Sequence, residues 1–97
     1  MTFSVQKLED ILRYIESKLI FESDGFKSSM SYNIVCSIDI EEYLKNLCAN
    51  DQEQYKYCFA VLQKVGCIDI SNGTIIEVTS KGYKFIFKYL YNIDFEN

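Results

Sequence analysis

The stretch Val65-Gly-Cys-Ile-Asp-Ile-Ser-Asn-Gly-Thr-Ile-Ile-Glu-Val-Thr-Ser-Lys-Gly82 reads as the end of a helix, a hairpin and the start of another helix. Gly66 stands where a helix wants a left-handed residue after its last turn. Asn72-Gly73 lies between the apolar alternations Ile68/Ile70 and Ile76/Val78, the strongest short-range hairpin signal, because both turn residues must accept positive φ. The spacing predicts antiparallel strands near Cys67–Ser71 and Thr74–Thr79. Thr79 or Ser80 then caps a last helix through about Asn92.

Outward from that hairpin the pattern is helical. Tyr55, Cys58, Phe59, Leu62 and Val65 share one face of a helix that ends near Val65 and is capped at Asn50 or Asp51. Before it, Asp39-x-x-Glu42 has capping-box character and opens a helix with Ile40, Tyr43, Leu44 and Leu47 inside. Ile34–Ile38 is a short strand. Glu22–Asn33 is polar, aperiodic and serine-rich, which reads as a loop. Val5, Leu8, Ile11, Leu12, Ile15 and Leu19 recur at helical spacing, so Ser4–Ile20 reads as an amphipathic helix with Ser4 as its cap and Glu9→Arg13 as an i,i+4 pair.

This order, together with Leu62, Gly66 and Ile68 and then Val78-Thr79-Ser80-Lys81-Gly82, resembles the small winged helix-turn-helix proteins of bacterial and archaeal regulators and of archaeal viruses and plasmids. The resemblance covers roughly Ile34–Leu90. It implies an α+β, mostly α fold: a winged helix-turn-helix with a three-helix core, a small β-hairpin wing and an additional terminal helix. One domain covers residues 1–97, with the N-terminal helix in 1–21, the helix-turn-helix and wing in 34–79 and the C-terminal helix in 80–93.

The resemblance also implies a recognition helix. On the face opposite the apolar one, Gln52, Gln54 and Gln63 suit base edges, Lys56 and Lys64 suit phosphates, and small Ala60 lets a groove approach beside Tyr57. Asn72, Gly73 and Thr74 form the wing tip. The expected function is sequence-specific binding of double-stranded DNA by a transcriptional regulator. The alternative is an acidic winged-helix adaptor that grips another protein, since one fold serves both. Charge keeps that alternative open: Asp51 and Glu53 offset Lys56 and Lys64, and Ser71–Glu77 holds no Lys or Arg.

Composition sets the remaining bounds. Ninety-seven residues, 48% hydrophobic and 25% charged, suffice for one modest core. The net charge of −4 and pI of about 4.7 argue against nonspecific coating of nucleic acid. The chain has no His, so His-based catalysis and metal ligation are absent. Cys36, Cys48, Cys58 and Cys67 form no C-x-x-C knuckle and read as small apolar residues, with a disulfide as the lesser alternative. No nucleophile–base pair or phosphate loop is visible, and neither an enzyme nor a metal or cofactor is expected. No apolar run approaches the ~20 residues of a membrane span, and the N-terminus lacks signal-peptide order. A cytoplasmic protein without a membrane partner is expected.

The last helix is too apolar for one small domain to cover: Tyr83, Phe85, Ile86, Phe87, Tyr89, Leu90, Tyr91 and Ile93 surround a stripe of Lys81, Lys84 and Lys88. A symmetric homodimer buries the excess most simply. The expected seam joins Leu8, Leu12, Ile15 and Leu19 to Ile86, Phe87, Leu90 and Tyr91, with the lysines as a solubilising rim.

Overall fold

The computed structural model describes residues 4–19 and 34–94. It is α+β and mostly helical: α1 (Val5–Lys18), β1 (Ile34–Asp39), α2 (Ile40–Leu44), α3 (Ala49–Lys64), β2 (Ile68–Ser71), β3 (Thr74–Val78) and α4 (Ser80–Tyr91). The loop expected at Glu22–Asn33 lies outside the described residues, as does Ile20.

Local chemistry explains most boundaries. The Ser4 hydroxyl accepts from the Lys7 amide and starts α1, and Arg13 pairs with Glu9 at 3.1 Å. Asp39 caps α2 by accepting from the Glu41 amide at 3.0 Å. At the end of α3, Gly66 has φ +87°, the Cys67 amide donates to the Leu62 carbonyl and the Gly66 amide to that of Gln63. These two bonds make a Schellman cap. Asn72 and Gly73 have φ of +52° and +76°, so the two-residue turn closes with Ser71 opposite Thr74.

Three expectations about the fold need correction. α3 starts at Ala49, before both expected caps, with Cys48 in the cap position and no side-chain cap bond. Gln52 stands in: its amide donates to the Leu44 and Leu47 carbonyls at 2.9 and 2.8 Å and fastens the turn from α2. In β3, the pairing with β2 shifts between Asp69 and Ile70, leaving Ile76 as an extra residue. The bulge turns Ile75 inward, fully buried, and leaves Ile76 39% exposed. An unbroken period of two would have buried Ile76.

The sheet is antiparallel in order β1-β3-β2, with β3 central. Leu8, Ile11, Leu12 and Ile15 of α1 lie on α3 and α4, and one core joins them to Phe59, Leu62, Ile75, Val78, Tyr83 and Ile86. Val65, expected on the buried face, is 46% exposed because it is the C-cap, where the helical projection no longer holds.

Candidate nucleic-acid interface

α3 is held at both ends and along its inner side. On that side the Tyr55 hydroxyl donates to Asp10 of α1 at 2.9 Å, and Gln6 donates to the other oxygen of that carboxylate. Lys7 pairs with Asp51 at 3.6 Å and its ammonium lies 5.4 Å from the Tyr55 ring centre. Tyr43 packs edge-on against Tyr55 and Phe59, and its ring lies tilted against Tyr14. Burial, and then the bond to Asp10, push the Tyr55 phenol far above its ordinary value.

The C-terminal end of α3 is fastened to the hairpin and α4. Thr79 Oγ1 accepts from the Gly82 amide at 3.0 Å, capping α4, while its hydroxyl donates toward the Gly66 and Cys67 carbonyls at 2.6 and 3.0 Å. The Thr79 amide also donates to Cys67, and Lys81 Nζ donates to the Val65 carbonyl at 2.7 Å. A lysine there also complements the negative end of the α3 dipole. A Cβ on Gly82 would lie 2.0 Å from the Cys67 carbonyl oxygen. The Thr-Ser-Lys-Gly motif thus clamps the end of α3: Thr79 caps α4 and reaches back to Gly66 and Cys67, Lys81 satisfies the Val65 carbonyl, and Gly82 leaves room for the Cys67 carbonyl.

The outward side of α3 then presents an open stripe. Glu53, Lys56, Tyr57, Ala60, Gln63 and Lys64 are exposed, with Tyr57 at 40%. Neither Lys56 nor Lys64 forms an ion pair among the described residues, leaving two cations against Glu53. Gln54 is half-buried beside them. Gln52 is not part of this stripe, since its amide is committed to the α2–α3 turn. At the hairpin tip, Asn72 and Gly73 are exposed and Thr74 is half-buried. The Gly73 carbonyl accepts from the Ile40 amide at 3.0 Å, which anchors the tip to the start of α2.

The α4 lysines are engaged elsewhere. Lys81 serves the end of α3, and Lys88 pairs with Asp94 at 3.0 Å. Lys84 is half-buried with a partner of its own. The residues expected at a dimer seam are placed mainly inside the chain: Leu8, Leu12, Ile15, Leu19, Ile86 and Phe87 are buried in its own core, and Leu90 packs against it half-buried. Of that set only Tyr91 is exposed. The apolar surface that α4 does offer is Phe85, Tyr89 and Tyr91, because α1 already covers the side assigned to a second chain.

All four cysteines are free thiols: Cys58 and Cys67 buried, Cys36 half-buried and Cys48 exposed. Burial pushes the Cys58 and Cys67 thiols above their ordinary value, partly offset by Lys7 and Lys81 respectively. Among the described residues no group of three or more acidic or thiol side chains gathers to hold a metal. No helix there is long and apolar enough to cross a membrane.

Sequence reasoning missed the work done by Gln52 and Lys81. A glutamine near a helix start can signal capping, but Lys81 reaches a carbonyl sixteen residues earlier, which no local spacing announces. No protein-family model, curated protein or solved structure matches the chain.

Proposed function

We propose that the chain is a winged helix-turn-helix protein that binds double-stranded DNA through α3 and acts as a homodimeric transcriptional regulator. The observation that carries this reading is the stripe Lys56, Tyr57, Ala60, Gln63 and Lys64, exposed on a helix whose other sides are fixed to α1, the α2 turn and α4. A rigid helix with a small residue at the centre of its open face can enter a major groove, with cations at either end for phosphates. Tyr57, Gln63 and half-buried Gln54 would then read base edges. The hairpin, anchored at Gly73, supplies the wing, with Asn72 and Thr74 as its polar contacts. The exposed aromatics Tyr89 and Tyr91 of α4 support a dimer seam that differs from the one expected from helical periodicity.

A second reading, docking to another protein, is favoured by one observation: the hairpin carries no cation, and the α4 lysines are spent within the chain. Binding to genomic DNA fragments across a salt titration separates the two. A DNA reader loses affinity linearly on logarithmic axes, and replacing Lys56 or Lys64 lowers the slope by about one unit. An adaptor shows no DNA affinity at low salt and retains a protein partner whose capture depends on Tyr57.

A further inference from the structure

Helix α3 contains two acids, and they have different fates. Asp51 is paired with Lys7 of α1 at 3.6 Å. Glu53 is exposed and, among the described residues, has no ion pair or hydrogen bond, although Lys56 follows one turn later. Glu53 and Ala60 stand at i and i+7, so both lie along the middle of the open stripe. Lys56 and Gln63 flank that line on one side, and Tyr57 and Lys64 on the other.

We propose that Glu53 reads a cytosine in the major groove and thereby sets the specificity of α3 at one base pair. This inference rests on the DNA-binding reading above. Entry into a groove strips water from the middle of the face, where a carboxylate without a donor is strongly disfavoured. Phosphates repel it. The base edges offer donors in the major groove only at the amino groups of cytosine and adenine, while guanine and thymine present acceptors. Adenine also sets its N7 acceptor beside the amino group, and cytosine has no acceptor on that edge. A carboxylate, which only accepts, therefore selects cytosine. Sharing the face with Lys56 and Lys64, it also weakens attraction to DNA of any sequence.

The test selects duplexes from a random DNA library with the full chain, Glu53→Gln and Glu53→Ala. Affinity is then measured for the parent's selected duplex with each base pair placed in turn at every position. The parent should show one position where cytosine is favoured over the other bases by roughly five- to a hundredfold. Glu53→Gln should move that preference to adenine, whose amino group and N7 suit an amide, and leave the other positions alone. Glu53→Ala should level the four bases there and bind random duplex DNA more tightly than the parent does. Both variants should keep the parent's circular dichroism spectrum, because Glu53 is exposed. If parent and variants select the same bases, the inference is overturned while DNA reading stands. A position that responds to the variants but favours guanine, thymine or adenine in the parent overturns it equally. If the parent enriches no sequence, the DNA reading fails and the inference falls with it.

Discussion

The clamp at the C-terminal end of α3 and the outward stripe of the same helix are only a turn or two apart, yet their polar groups have opposite fates. In the clamp, the Gly66 and Cys67 carbonyls face the Thr79 hydroxyl, the Val65 carbonyl takes the Lys81 ammonium, and the Gly82 amide finds Thr79. On the stripe, Lys56 and Lys64 have no ion-pair partner among the described residues, and Ala60 leaves space. The bonds to the Cys67 carbonyl and from the Gly82 amide are half-buried, where an orphan polar group costs about 1–3 kcal/mol, while those to Gly66 and Val65 lie at the surface and satisfy helix-end carbonyls. Exposed groups carry no such constraint and are available to a partner. The contrast distinguishes residues that build the platform from those left at its surface.

Substitutions that strike the clamp should hurt stability most. Gly82→Ala places a methyl group 2.0 Å from a backbone oxygen, which neither α4 nor the hairpin can yield without breaking other bonds. It should cost more than about 3 kcal/mol in denaturant unfolding. Thr79→Ala removes the α4 cap together with the hydroxyl that reaches Gly66 and Cys67, and should cost about 1–2 kcal/mol by the same measurement. If either is as mild as an ordinary surface change, the clamp is not what holds α3.

The lock between α1 and α3 gives an intermediate effect with a pH signature. Tyr55→Phe keeps the ring and loses the bond to Asp10, for about 1 kcal/mol near neutral pH. In the folded chain the Tyr55 phenol is raised well above 10.0, its ordinary value, so folding favours the neutral form. That contribution is fully present below about pH 10 and is lost as pH rises beyond it. Alkaline unfolding monitored by circular dichroism should therefore be shallower in Tyr55→Phe, with the share of Tyr43, which burial also raises, remaining. A smaller kinetic contrast lies in the thiols: Cys48 should alkylate first in the native protein and Cys58 and Cys67 last, as mass spectrometry can follow.

The α+β class, the Asn72-Gly73 hairpin and the Ser4, Asp39 and Thr79 caps were legible in the sequence, because each depends on residues within a few positions of one another. The apolar face of α1 was legible too, but its partner was not. Periodicity shows that Leu8, Leu12, Ile15 and Leu19 must be covered, without showing whether a second chain or this chain's own α3 and α4 covers them. The bulge at Ile76 is set by register with two neighbouring strands, and the commitment of Gln52 and Lys81 by backbone carbonyls that only the folded chain brings near. For the candidate site, helical projection puts Lys56, Tyr57, Ala60, Gln63 and Lys64 on the exposed side, whereas Gln52, a base-edge candidate by sequence, is committed to the α2–α3 turn.

The stripe itself should be nearly silent in stability: Lys56→Gln and Lys64→Gln should each change unfolding free energy by no more than about 0.5 kcal/mol. A cost as large as that of Thr79→Ala would make these lysines structural and erase the contrast with the clamp. Binding by the same two variants, measured against salt on genomic DNA fragments, tests the central claim most directly. The account predicts specific binding by the parent chain and a slope of log affinity against log salt reduced by about one unit in each variant. Undetectable binding of the parent at low salt, or slopes unchanged by either substitution, would contradict it.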